Sequence, residues 1–139
     1  MIQRQQSIWL LLAATCSLLS FFFPFFGGAE QNAAGTSGLM STINAGSSFF
    51  LIILTGASVL IGLITIFLYK DRKTQFKLAI AGLIISIVII ILYFTEIRTL
   101  PGVIALSSVF VFLIPVFYFL AIRGIRRDEK LIKSLDKLR

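Results

Sequence analysis

Residues 49–69 read FFLIILTGASVLIGLITIFLY, an unbroken run of 21 positions without a charged side chain. An α-helix rises 1.5 Å per residue, so about 20 residues match the ~30 Å hydrocarbon core of a bilayer. In lipid the backbone must satisfy its own hydrogen bonds, and a continuous helix does so. The stretch is expected to cross a membrane as one helix. Three further uncharged runs lie around it, at residues 8–26, 78–94 and 103–122. Together they predict an all-α, integral-membrane four-helix bundle over residues 1–122, with an outer loop at 27–48 and a separate charged tail at 123–139.

Composition supports this class. Hydrophobic residues make up 58 % of the 139-residue chain and mean hydropathy is +0.98. A soluble domain of this size has too much surface to hide that content. Charged residues are 14 %, against ~25 % in ordinary soluble domains. The net charge of +7 would suggest nucleic acid in a soluble protein. Its distribution points to a membrane surface instead, and no nucleic-acid partner is expected.

The first run contains LLLAATCSLLS, which invites comparison with a signal peptide or a lipoprotein box. The apolar stretch continues past Cys16 through FFFPFF, longer than an h-region of ~7–15 residues. An uncleaved helix is expected, ended by Pro24, Gly27 and Gly28. Cys16, the only cysteine, reads as a small buried apolar residue.

Charge sets the expected orientation. Arg4 precedes the first run. Lys70, Arg72, Lys73 and Lys77 lie between the second and third. Seven more, Arg123, Arg126, Arg127, Lys130, Lys133, Lys137 and Arg139, fill the tail. The opposite side carries Arg98 alone. Basic residues stay on the cytoplasmic side, so both termini are expected in the cytoplasm.

Two stripes of small residues suggest how the helices meet. Thr55, Ser58, Gly62 and Thr65 share one face of the second run, and Ala79, Gly82 and Ser86 share one face of the third. Small residues allow close approach in membranes, so the two runs are expected to pack as a hairpin across these stripes. The outer loop reads as a solvated connector, with Leu39, Met40 and Ile43 at the spacing of a short helical turn.

No chemistry-bearing constellation emerges. The chain has no His, and no Asp, Glu, Lys or Arg lies inside a run. Pumps and proton-coupled transporters place ionisable groups at membrane depth. Glu96 and Arg98 flank an outer turn without a nucleophile or metal ligands beside them. No enzyme activity, cofactor or metal is expected.

The tail is more patterned. As a helix it places Ile125, Leu131, Ile132, Leu135 and Leu138 on one arc, and Arg123, Arg126, Arg127, Lys130, Lys133 and Lys137 opposite. Glu129 stands four residues before Lys133, a favourable pair. Asp128 falls inside the apolar arc as a flaw. This amphipathic helix is expected to contact either the anionic inner leaflet or a partner protein.

Three stretches, MIQRQQSIWLLLA, YKDRKTQFKL and LAIRGIRRDEKLIKSLDKLR, together resemble an uncharacterised family of small four-span inner-membrane proteins of the Bacteroidota, a domain of unknown function. The ending departs slightly: LIKSLDKLR stands where that family often reads LVRSADRLR. The resemblance implies the fold and the inner membrane, and no activity. The leading expectation is an accessory, assembly or scaffold subunit working through its cytoplasmic face, in a homo- or hetero-oligomer with membrane proteins. The alternative is a small oligomeric channel or transporter for an uncharged solute.

Overall fold

The computed structural model describes residues 2–29, 40–68, 70–98 and 102–139. Four long helices dominate: α1 (Ile2–Phe22), α2 (Phe49–Phe67), α3 (Arg72–Ile97) and α4 (Val109–Lys137). All four are long and apolar enough to cross a membrane. Their surfaces are inverted relative to a water-soluble bundle. Leu11, Ile53, Leu60, Ile84, Ile91 and Phe119 face outward, while Ser17, Thr55, Ser58, Thr65 and Ser86 are buried. Water would penalise that arrangement and lipid tails favour it, because tails solvate apolar side chains and leave hydroxyls to pair inside.

Several boundaries differ from those expected. α1 begins at Ile2 and stops at Phe22, two residues before Pro24. α4 starts six residues later than the apolar run, because Val103 and Ile104 form a strand. At its other end α4 does not stop at residue 122. It runs unbroken for 29 residues to Lys137, so the expected tail continues the same helix.

The chain also builds a small sheet, which was not expected. Strands β1 (Phe26–Ala29), β2 (Met40–Ile43) and β3 (Val103–Ile104) pair antiparallel in the order β2-β1-β3. Phe26 sits opposite Ile43 on one side and Ile104 on the other. Met40 and Ile43 therefore lie in a strand, not a helical turn, while Leu39 falls outside the described residues. The sheet closes the end of the bundle opposite the termini. The Phe25 ring stacks on Tyr93 at 4.2 Å and joins sheet to α3.

Two buried layers hold the helices. Near the sheet, Phe25, Phe26, Leu51, Ile89, Tyr93 and Val111 pack together. Nearer the termini, Leu10, Ala13, Cys16, Ile114, Tyr118 and Ala121 do so.

The two stripes of small residues are buried, but they face more than each other. A methyl group built on Gly82 would stand 2.4 Å from the Tyr118 ring; one on Gly62 would stand 3.2 Å from the Tyr118 hydroxyl and from Ala14 of α1. The space they leave is filled by Tyr118 of α4, whose hydroxyl donates to the Ser58 carbonyl at 2.7 Å. Ser17 and Ser58 add a hydroxyl pair between α1 and α2 at 3.2 Å. Within the hairpin, the buried Gln75 side chain of α3 donates to the Thr65 carbonyl of α2 at 3.2 Å.

Candidate functional site

The polar and charged chemistry of the chain gathers at the end of the bundle that carries both termini. Four elements meet there: the first turns of α1, the α2–α3 connection, the first turns of α3, and the last turns of α4. Asp71 fixes where α3 begins. Its carboxylate accepts from the Thr74 hydroxyl at 2.6 Å and from the Thr74 amide at 3.4 Å. That is the N-cap arrangement, which satisfies an amide left open in the first helical turn. The Thr74 bonds hold the Asp71 carboxyl below its ordinary range. Its contribution is present above that ordinary range and is lost as pH falls through the lowered value.

α4 is the organising element. Its buried positions run Val111, Ile114, Tyr118, Ala121, Ile125 and Asp128. The spacing of 3, 4, 3, 4 and 3 traces one stripe down the helix. Asp128, which looked like a flaw in the apolar arc, therefore lies on the packed face. It is buried, and one of its oxygens accepts a hydrogen bond from the Gln6 amide of α1. The other oxygen has no hydrogen-bond partner among the described residues. Gly124, one turn earlier, brings the helices together, since a methyl group there would meet the Gln6 side chain at 2.9 Å. Gln6 and Asp128 are thus a buried polar clamp between the start of the chain and its end.

Beyond Asp128 the stripe continues as Ile132 and Leu135, with Leu131 and Leu138 beside it, and there it becomes exposed. Leu135 is 64 % and Leu138 84 % exposed. Gln6 of α1 lies against Gly124 and Asp128, and Phe76 of α3 lies against Arg126, while α4 runs on from there to Lys137.

The basic residues divide between two faces of this projecting end. On one, Arg126, Lys130, Lys133 and Lys137 line an open groove of about 430 Å³ with Glu129 and Ser134. The expected Glu129–Lys133 pair forms at 2.8 Å, and it holds the Glu129 carboxyl below its usual range. The Arg126 guanidinium lies over the Phe76 ring of α3, 5.1 Å from its centre. On the other face, Arg123 and Arg127 line a smaller cavity against α1. The predicted surface group is thereby divided: Arg127 stands apart from Arg126, Lys130, Lys133 and Lys137, and Leu131, Ile132, Leu135 and Leu138 form the exposed stripe. No group of three or more His, Cys, Asp or Glu able to hold a metal comes together among the described residues.

Inverted burial, four spans and a hydroxyl-lined interior define a multi-pass membrane bundle. The chain belongs to the family described as Domain of unknown function (DUF4293), whose model matches residues 2–138. No curated protein and no solved structure matches it.

Proposed function

We propose that the protein is a non-enzymatic accessory, assembly or scaffold subunit of a bacterial inner membrane, with both termini in the cytoplasm and its projecting α4 end as the contact for a partner. One observation carries this reading: the stripe that packs α4 into the bundle continues past the bundle as Ile132 and Leu135, which are 40 % and 64 % exposed. The basic groove of Arg126, Lys130, Lys133 and Lys137 lies on the opposite side of the same projecting helix. The complementary partner is a helix that lays its apolar face on this stripe at the usual i, i+3, i+4 anchors, with Asp and Glu reaching the basic side.

The unbroken run of α4 beyond Ile122 favours a protein over the leaflet as occupant of the stripe. Along the helix axis Leu135 lies about 20 Å past Ile122, at 1.5 Å per residue. A headgroup layer adds only ~5–8 Å per leaflet. The bundle axis itself is occupied by Tyr118 and Ile114, both buried. The alternative, a solute channel, would have to run between copies of the chain.

The test is recovery of partners from native membranes in mild detergent, read by mass spectrometry. The account expects a defined protein to accompany the wild-type chain and to be lost with Leu131→Asp/Leu135→Asp, at an unchanged melting temperature. Equal recovery with both chains, or solute flux in liposomes that survives the double substitution, would overturn it.

A further inference from the structure

The cavity between α1 and α4 is distinct from the groove and the stripe. It measures about 210 Å³ and is lined by Gln5, Gln6 and Trp9 of α1 and by Leu120, Arg123, Gly124 and Arg127 of α4. We propose that it binds the phosphate of an anionic phospholipid headgroup, with Arg123 and Arg127 as the anion-holding groups. The proposal uses the membrane-spanning fold and stands apart from the partner reading.

Four features support it. First, Arg123 and Arg127 are four residues apart, so both guanidinium groups stand on one helix face. Neither has a carboxylate partner among the described residues, where the ion pair formed is Lys133–Glu129. By contrast, Arg126, turned toward α3, is engaged by Phe76. A planar guanidinium grips phosphate oxygens through two parallel N–H bonds, which a lysine cannot reproduce.

Second, the depth is right. The cavity sits where the apolar stretch of α4 gives way to charge, between Leu120 and Arg127, and where Gln5 and Gln6 precede the apolar part of α1. Basic pockets between spans at this level suit lipid headgroups. Third, Trp9 forms one wall, its ring stacked on Phe117 at 5.9 Å. An indole is at home at this boundary, apolar on its faces and able to donate from its nitrogen. Fourth, the walls are held in place. Gly124 and the Gln6–Asp128 bond fix the spacing of the two helices. The same bond holds the Gln6 amide on the Asp128 carboxylate, and the two arginines are the positive charges that line the cavity. A phosphate and the carbon beside it fit this volume, while the acyl chains stay in the bilayer against α1 and α4.

Trp9 is the chain's only tryptophan, so its fluorescence reports on this cavity alone. The experiment titrates the full chain, in an uncharged detergent, with short-chain phosphatidylglycerol, short-chain phosphatidylcholine, glycerol phosphate and inorganic phosphate. The expected result is a saturable change with phosphatidylglycerol at least tenfold tighter than with phosphatidylcholine. Arg123→Gln/Arg127→Gln should weaken it at least tenfold. Lys133→Gln/Lys137→Gln, farther along α4 and outside the cavity, should alter it less than twofold. Native mass spectrometry of the same variants supplies a second reading, as phosphatidylglycerol retained per chain. Equal affinity for the two lipids, or an unchanged affinity in the double arginine variant, overturns the site. Binding of inorganic phosphate or glycerol phosphate as tight as that of phosphatidylglycerol overturns the lipid assignment and makes the ligand a soluble phosphate.

Discussion

Gly82→Ala is expected to destabilise the detergent-solubilised protein by about 2–3 kcal/mol, the upper part of the range for overpacking a close contact. The new methyl group would stand 2.4, 2.6 and 3.0 Å from three atoms of the Tyr118 ring. No real carbon approaches that closely, so something must move. The ring cannot swing aside cheaply, because Tyr118 is wholly buried and its hydroxyl is tied to the Ser58 carbonyl. The helices must separate instead, which loosens α3 from α4. Two controls sharpen the result. Gly62→Ala meets atoms no nearer than 3.2 Å and should cost less. Gly56→Ala meets nothing within 4 Å and should be silent, or stabilising by up to ~1 kcal/mol through reduced backbone entropy. Thermal unfolding of the three variants checks the order. Equal losses would mean that Tyr118 does not fill the space beside Gly82.

The second large effect is expected at the buried clamp. Gln6→Leu leaves the Asp128 carboxylate among apolar groups without its donor. Leaving a buried acceptor without its donor costs ~1–3 kcal/mol, and more when the acceptor is charged. Asp128→Leu strands only the Gln6 amide, which costs ~1–3 kcal/mol. Gln6→Leu/Asp128→Leu removes both partners, and its loss should fall well below the sum of the two, since matched apolar replacement of a buried pair is often close to neutral. Additive losses across this cycle would show that the two side chains do not interact.

The four spans were legible because lipid imposes a simple rule: each crossing must be a helix of about 20 apolar residues. The small-residue stripes were legible too, since a 3-and-4 spacing reveals a face. What fills that face was not. Nothing in VFVFLIPVFYFLAI marks Tyr118 as the ring that enters between Gly62 and Gly82. The clamp was hidden for a related reason. Gln6 reads as a polar flank before an apolar run, and Asp128 as a flaw in an arc, and the two lie 122 residues apart. A signal for Asp128 was present: it continues the 3-and-4 series from Val111, which becomes visible once span and tail are treated as one helix. The sheet was missed because FGGA and MSTI are short and carry no alternation. Their pairing depends on the helix ends that bring them together.

The account places the terminal end of the bundle, with its clamp, basic faces and projecting stripe, in the cytoplasm. Cysteine labelling tests that placement most directly. In a Cys16→Ser background, Gly46→Cys lies beside the sheet and Ser134→Cys lies on the projecting end of α4, and both positions are exposed. The account predicts that an impermeant maleimide modifies Gly46→Cys in intact spheroplasts and reaches Ser134→Cys only after lysis. Modification of Ser134→Cys in intact spheroplasts, with Gly46→Cys protected until lysis, would contradict the orientation and remove the cytoplasmic partner with it.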